Sequence, residues 1–141
     1  MIKNFIKAWD KNNKLLLEEF KKNMPSDYAD IVKKLVCIVI NPFLEDINED
    51  VLDIDNMTII DNGDYQGIQI FIIPLDCYQP DINDYVFTCN YYGSCSGCDT
   101  YQRIIMSCDY DKDGNEIPTK ETAKDFHTLA LHILQKFKYL A

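Results

Sequence analysis

The chain lacks several features that would place it in a familiar class. It has only five glycines among 141 residues and no glycine-rich phosphate-binding or dinucleotide-binding motif. Its longest apolar run, Leu35–Ile40, is far shorter than the ~18 residues of a membrane-spanning helix. Its first residues form an amphipathic turn without the apolar core of a signal peptide. We therefore expect a cytoplasmic protein that has no membrane segment.

Basic residues are missing from the middle half of the chain. Residues 35–102 contain no Lys or Arg but twelve Asp or Glu, whereas residues 1–34 are mildly basic and residues 103–141 are neutral. The net charge of -9 thus arises entirely in the middle. A surface of one sign attracts the opposite sign, so we expect a protein partner with a basic surface, or a cation, and no direct nucleic-acid binding. The same charge makes a nearby thiol harder to ionise.

The hydrophobic pattern predicts a single α+β domain over residues 1–141. Residues 1–41 have helical spacing. One long helix, or two short ones divided at Asn12–Asn13, ends at Pro25, and a second helical stretch capped by Ser26 ends at Asn41–Pro42. An acidic connector, read as mostly loop, covers residues 45–55. The sheet part spans residues 57–117 and a long C-terminal helix spans residues 119–141. We expect N-terminal helices and this long helix to pack on a small antiparallel β-sheet.

Three strands and the last helix are predicted within these limits. Residues 58–60 and 68–73 flank an Asn-Gly turn and predict a hairpin whose second strand is central. Residues 85–92 predict a third strand, and residues 100–108 fit a helix or a strand, of which we predict the strand. The last helix begins at Thr119 or Thr122. Its predicted core positions are Phe126, Leu129, Ala130, Ile133, Leu134, Phe137 and Leu140.

The most distinctive motif is a Gly/Ser-rich segment with two cysteines three positions apart, Cys95 and Cys98. Three interpretations compete. The pair supplies half of a zinc site, completed from Cys77, Cys89, Cys108, His127 and His132. Alternatively it is a redox pair, although the acidic surroundings give a thiolate little help. The interpretation that we favour is a tight loop with buried thiols, in which Ser94, Ser96 and Asp99 satisfy backbone groups. Cys37 is likewise predicted to be a small buried hydrophobe.

Two further segments have functional alternatives. Residues 109–113 open like a calcium loop, but Lys120 stands where the bidentate Glu is needed, so an ordinary Asp-Gly turn is favoured. Residues 62–67 enclose Tyr65 between polar groups and glycines. Seven of the nine tyrosines lie between residues 65 and 110, inside or just beyond the acidic block. Tyr is favoured at interfaces, although half-buried strand positions explain the pattern about as well.

Three short strings together resemble a family of small uncharacterised proteins encoded by bacteriophages and prophages of low-GC bacteria. They are residues 63–67 (GDYQG), 92–100 (YGSCSGCDT) and 129–136 (LALHILQK). The resemblance covers residues 60–140 best, and Cys89 and Cys108 do not belong to its pattern. It implies a phage setting and points, without assigning roles, to Asp64, Tyr65, Gln66, Cys95, Cys98, Asp99 and His132.

The sequence therefore predicts a small acidic accessory protein of phage type. It would act by binding, as an anti-CRISPR-like inhibitor of a host or defence protein, through an acidic, Tyr-rich face. The expected binding residues are Asp64, Tyr65, Gln66, Tyr92, Ser94, Ser96 and Asp99. The alternative function is that of a metal- or thiol-dependent enzyme or a zinc-binding protein centred on Cys95 and Cys98 with His132. A third possible function is to bind a small molecule in a pocket under the Gly/Ser-rich loop. The sequence assigns no catalytic residue. No cofactor is expected other than zinc in the alternative site. The sequence is compatible with a homodimer.

Overall fold

The computed structural model describes residues 1–141 and contains five α-helices and six β-strands. The helices are α1 (Phe5–Lys22), α2 (Tyr28–Lys34), α3 (Asn41–Asp46), α4 (Thr100–Ile105) and α5 (Lys120–Gln135). The strands are β1 (Thr58–Asp61), β2 (Gly67–Pro74), β3 (Tyr85–Tyr92), β4 (Asp109–Tyr110), β5 (Glu116–Ile117) and β6 (Lys138–Tyr139). The predicted architecture of N-terminal helices, a long C-terminal helix and a small antiparallel sheet is confirmed.

The main sheet is antiparallel and has the strand order β1-β2-β3-β6. The predicted hairpin is β1 and β2, and β2 pairs along its length with β3, so its central position is confirmed. Strands β4 and β5 form a separate small hairpin. This topology leaves β1 as one edge of the sheet and the short strand β6 as the other.

Helix α5 packs between helix α1 and the sheet and forms the centre of the core. Phe126 lies 5.9 Å from the Phe20 ring of α1, centroid to centroid. On the sheet side, the buried Thr88 hydroxyl donates to the Ile133 carbonyl at 2.8 Å.

Of the two predicted starts of α5, Thr119 and Thr122, the structure has Thr119, whose side chain caps the helix. The helix does not reach residue 141, the predicted end: it ends at Gln135, because the chain then turns to pair Lys138–Tyr139 with β3 as strand β6. The predicted core positions are buried except Leu140, which lies beyond the helix, as Phe137 does, and is exposed.

The second helix differs from the prediction at both ends. Its N-cap is Asp27, not Ser26, because the Asp27 carboxylate accepts from the Asp30 N–H. Asn41–Pro42 does not end it, since the chain continues through a π-helical segment, Leu35–Ile40, into α3. The wider π turn joins the Asn41 N–H to the Val36 carbonyl, and Pro42 lies at the start of α3, where a missing N–H is tolerated.

Two other expectations about buried and extended residues are wrong. Cys37 is exposed, because its neighbours Val36, Val39 and Ile40 occupy the buried side of the π-helical segment. Residues 100–105 form helix α4, not a strand, because the Asp99 side chain caps them by accepting from the Gln102 N–H. No helix of the structure combines the length and apolar content needed to cross a membrane.

The two faces of the main sheet differ. Phe71, Ile73 and Val86 point into the hydrophobic core beneath the helices. Their neighbours along the strands alternate to the opposite face, where Ile70 and Ile72 of β2 are only partly buried and lie outside that core. One face of the sheet is therefore covered by the helices and the other is partly exposed. The loops that connect the strands lie at the two ends of the sheet.

Candidate functional site

Two motifs far apart in sequence meet at one end of the main sheet. The register pairs Gly67, which follows the β1–β2 loop, with Tyr92, which precedes the loop containing Cys95 and Cys98. The Tyr92 hydroxyl donates to the Asp61 carboxylate at the end of β1. This bond, with smaller effects of burial and of the charges of Asp61 and Asp64, raises the pKa of Tyr92 to about 12. We call this region, residues 61–66 and 92–98, the cysteine end.

The cysteine end contains most of the residues predicted to bind. Asp64, Tyr65 and Gln66 are exposed in the β1–β2 loop, and Tyr65 retains 83% of its accessible surface. The loop is tight, since a Cβ atom at Gly63 would lie 2.0 Å from the Gln66 carbonyl oxygen. On the neighbouring loop Ser94 is exposed and Ser96 is partly buried. A side-chain cluster accessible to a partner is therefore present here.

Asp99 is not part of that accessible cluster. It is 5% exposed, and one carboxylate oxygen accepts from the Tyr28 hydroxyl at 2.8 Å and the Gln102 N–H at 3.0 Å. The other oxygen accepts from the buried Gly93 N–H at 2.9 Å. The expectation that Asp99 contacts a partner is corrected: its carboxylate holds the cysteine loop onto α2 and α4.

The cysteine loop is tight, as predicted, but its thiols are not buried. Cys95 and Cys98 are both exposed, and their Sγ atoms lie 3.2 Å apart. The Cys98 and Asp99 N–H groups both donate to the Cys95 carbonyl, at 3.1 and 2.9 Å, which closes one helical turn. A Cβ atom at Gly93 would lie 2.6 Å from Cys98 Sγ, so only glycine fits there without a shift.

The acidic surroundings do not act equally on the exposed thiols. At Cys77 they act as expected: after burial, the charges of Asp84, Asp50 and Asp76 raise the thiol pKa. At Cys98 the pKa is lowered, mainly by the hydrogen bond from the Cys95 thiol and then by the Cys95 backbone. Hydrogen bonds within the loop, and not a neighbouring basic residue, thus help Cys98 to ionise, and the sequence did not indicate them.

His132 lies away from the cysteine pair. It lines a cleft of about 500 Å³ between α4, α5 and the end of β3, together with Arg103, Asp125 and Lys136. No group of three or more His, Cys, Asp or Glu side chains is placed to share a metal ion. The structure thus brings Cys95 and Cys98 together but does not bring His132 into the same group. The cleft contains more basic than acidic side chains, so it does not suit a basic partner.

Residues 111–115 form the turn of the β4–β5 hairpin, and Asp109 and Tyr110 form β4. The Asp111 carboxylate accepts from the Asp113 and Asn115 N–H groups at 2.8 and 2.9 Å. The Asn115 backbone makes the largest contribution to lowering the pKa of Asp111. Gly114 has a φ of 80°, a conformation that glycine adopts without strain. These contacts are those of the ordinary Asp-Gly turn favoured from the sequence.

A second cluster, which the sequence did not reveal, lies at the opposite end of the sheet. Three segments meet there: Leu52 bridges to Leu75, the Asp76 N–H donates to the Val51 carbonyl, and the Leu75 N–H donates to the Asp84 carbonyl. The carboxylates of Asp84, Asp50 and Asp76 lie close enough to Cys77 to act on its thiol, and Asp53 and Asp81 lie in the same segments. We call this cluster the acidic end; it consists of Asp50, Asp53, Asp76, Asp81 and Asp84.

The acidic end combines uncompensated charge with exposed apolar surface. All four ion pairs of the protein involve Lys11, Lys21 or Lys34, and none includes a carboxylate of the acidic end. Between these carboxylates, Tyr78 is 91% exposed and Ile82 is 62% exposed. The signal in the sequence was the absence of basic residues from both segments, 45–55 and 76–84. Their convergence depends on the pairing of Leu52 with Leu75.

Comparison with protein-family models, with curated proteins and with solved structures finds no match to this chain. A functional assignment must therefore come from the chemistry of the two ends of the sheet.

Proposed function

We propose that this protein is a small accessory protein of phage type that binds a basic protein surface in the cytoplasm of the bacterial host. The partner would be a host or defence protein that the binding inhibits, in an anti-CRISPR-like manner. The contact surface is the acidic end. The observation that carries the proposal is the meeting of five carboxylates that make no ion pair around exposed Tyr78 and Ile82.

The chemistry of the acidic end suits a protein partner better than a small cation. Its carboxylates are spread over three segments and do not form a group placed to share a metal ion. Tyr78 offers a large contact area with a polar end, and Ile82 offers apolar area beside it. Carboxylates around such a centre would attract Lys and Arg side chains, accelerating association and selecting against acidic partners.

The proposal is tested by neutralising the acidic end without disturbing the fold. Asp50→Asn, Asp76→Asn and Asp81→Asn together remove three exposed charges. Asn at 81 still caps the 3₁₀-helical turn Ile82–Asp84 through a side-chain oxygen. Each exposed ion pair contributes ~0.2–1 kcal/mol, so the triple variant should bind a captured partner about tenfold more weakly. Tagged protein would capture partners from a bacterial lysate, and the affinity of the purified partner would be measured at low and high salt.

The matched control carries the same change in net charge elsewhere. Asp109→Asn, Asp113→Asn and Glu121→Gln also remove three exposed carboxylates. These lie in the β4–β5 hairpin and at the start of α5, outside the three segments of the acidic end. This control should keep nearly the full affinity and salt dependence. Equal weakening in both triple variants would show that binding depends on net charge alone, and would refute the acidic end as the contact surface.

Tyr78→Ala separates the apolar part of the contact from the charge. Because the side chain is almost fully exposed, its removal should leave the thermal stability unchanged while weakening binding at high salt as much as at low salt. Tyr65→Ala is the matched control at the cysteine end, since that side chain is also strongly exposed. Binding lost with Tyr65→Ala and kept with Tyr78→Ala would move the contact surface to the cysteine end.

A second candidate function is thiol- or metal-dependent chemistry at Cys95 and Cys98. The short distance between their exposed sulfur atoms favours it. His132 lines the separate cleft, so the participation that the sequence suggested is not favoured by its position. The double variant Cys95→Ser with Cys98→Ser distinguishes the candidates, because binding through the acidic end should survive it and thiol chemistry should not.

A further inference from the structure

The two exposed cysteines of the cysteine end are arranged to react with each other. Their Sγ atoms lie 3.2 Å apart, so they would have to approach by only about 1.2 Å to reach the ~2.05 Å of a disulfide bond. No other pair of cysteine thiols in the chain makes a hydrogen bond, and Cys37 and Cys77 are exposed without a partner thiol. The arrangement therefore singles out one pair among six cysteines.

The loop holds this pair in place from both sides. Before it, Gly93 lies against Cys98, so that no side chain intrudes between the loop and the sulfur atom. After it, the buried carboxylate of Asp99 binds Gly93, Gln102 and Tyr28, which fixes the backbone next to Cys98. Gly97 leaves Cys95 open, since a Cβ atom there would make only an ordinary contact of 3.8 Å with its sulfur.

The two sulfur atoms differ in chemical character. Either sulfur atom can donate in the hydrogen bond between them. With Cys95 as the donor, this bond and then the Cys95 backbone lower the pKa of Cys98 below its ordinary value. Cys98 therefore ionises more readily than an ordinary cysteine, and the thiolate is the reactive form. Cys95, 3.2 Å away, is placed to attack Cys98 once that sulfur carries a leaving group.

We propose that Cys95 and Cys98 form a reversible dithiol–disulfide couple that exchanges with small-molecule disulfides. The Cys98 thiolate attacks one sulfur of the disulfide RSSR; a Cys98–SR bond forms as the S–S bond breaks, and RS⁻ leaves. Cys95 loses its proton and attacks Cys98 Sγ, which forms the Cys95–Cys98 disulfide and releases the second RS⁻. The protein dithiol is oxidised by two electrons, and RSSR becomes two RSH on protonation. Excess RSH reverses both steps.

This couple is independent of the proposed binding function, because the acidic end lies at the opposite end of the sheet. Oxidation would instead alter the cysteine end, where Tyr92 and the β1–β2 loop adjoin the cysteine loop. The chemical class of reactant is a thiol or disulfide such as glutathione. No metal is required.

The test uses the 141-residue protein, reduced and then exposed to a series of ratios of reduced to oxidised glutathione. Free thiols are trapped with an alkylating agent at each ratio, and the intact mass and peptide map are measured. The oxidised protein should be lighter by two hydrogen atoms before alkylation, with Cys95 and Cys98 joined and unavailable for alkylation. Excess reduced glutathione should restore both thiols.

Single variants separate the two roles and supply the control. Cys95→Ser should stop at a glutathione adduct on Cys98, and Cys98→Ser should react more slowly than wild type, since the thiol with the lowered pKa is removed. Cys77→Ser should leave disulfide formation unchanged, because Cys77 is exposed but has no partner thiol. The proposal is overturned if wild-type Cys95 and Cys98 accumulate separate glutathione adducts, or if Cys98 is alkylated no faster than Cys77 at neutral pH.

Discussion

Replacing Asp99 by Asn should destabilise the protein strongly although it removes no apolar contact. The carboxylate accepts three hydrogen bonds, from the Tyr28 hydroxyl and from the N–H groups of Gly93 and Gln102. An amide has one accepting oxygen, so its NH₂ group must face at least one of these donors. Because Asp99 and Gly93 are both buried, water cannot replace the lost bond.

The magnitude follows from these contacts. A hydrogen bond to a charged group contributes ~1.5–3 kcal/mol, and a buried donor without a partner costs ~1–3 kcal/mol. If the oxygen of the introduced amide still accepts from Tyr28 and Gln102, only the bond from Gly93 is lost. Asp99→Asn should then lower the free energy of unfolding by about 2–3 kcal/mol. Asp99→Ala loses all three bonds and should cost about 3–5 kcal/mol. These losses are large beside the ~5–15 kcal/mol total stability of a typical domain.

Urea unfolding followed by the fluorescence of the single tryptophan measures the effect. Trp9 is 7% exposed in the folded protein, so its emission reports loss of the core. With a urea m-value of ~1–3 kcal/mol/M, the midpoint for Asp99→Asn should fall by about 1 M. Asp64→Asn, an exposed change of the same chemistry, should leave the midpoint nearly unchanged. A midpoint for Asp99→Asn equal to that of Asp64→Asn would refute the structural role of this carboxylate.

Three further predictions concern other parts of the fold. Gly93→Ala should cost about 2 kcal/mol or more in urea unfolding, since its Cβ atom would lie 2.6 Å from Cys98 Sγ, whereas Gly97→Ala should be nearly neutral. Phe126→Ala should lower the free energy of unfolding by ~3–5 kcal/mol, because it opens a cavity between α5 and α1. Burial lowers the pKa of His127, so the folded state binds a proton more weakly than the unfolded state. The free energy of unfolding should therefore fall as the pH drops below about 6.5, and His127→Gln should remove this part of the pH dependence.

These three predictions have separate points of failure. Equal losses for the two glycine variants would show that the cysteine loop is more open than its contacts indicate. A loss below about 1 kcal/mol for Phe126→Ala would mean that the core collapses around the missing ring. For His127, the ring nitrogen Nε2 lies 3.1 Å from the Asn13 carbonyl oxygen, where it acts as a donor. An unchanged pH profile in His127→Gln would assign the dependence to other groups.

Local chemistry explains which elements the sequence predicted correctly. The apolar stripe of α5 and its Thr119 cap lie within one continuous segment, and so does the turn between β1 and β2. Helical periodicity, β-branched runs and turn residues act over about ten residues, so they can be recognised without a fold. The errors at Asn41–Pro42 and at residues 100–105 have the opposite cause. The π turn before Pro42 lets the helix continue past the proline. The cap of α4 is the buried Asp99, whose carboxylate accepts from Tyr28 in a helix distant in sequence.

The same distinction separates the two candidate surfaces. The sequence identified Tyr65 and the cysteine pair as candidates, but it could not show that their loops adjoin, since this depends on the register that pairs Gly67 with Tyr92. It showed the acidic excess of residues 35–102 but not where the carboxylates gather. Strand pairing brings residues 50–53, 76 and 81–84 to one end of the sheet.

The sequence by itself therefore determined the helices and strands with strong periodicity, the total charge and its confinement to the middle of the chain. The tertiary structure alone decided that Asp99 is buried, that Cys95 and Cys98 are exposed with their sulfur atoms in contact, and that the acidic segments converge. The physical reason is the range of the interactions involved. Periodicity and turns are set by neighbouring residues, whereas burial and convergence are set by sheet register and helix packing between residues tens of positions apart.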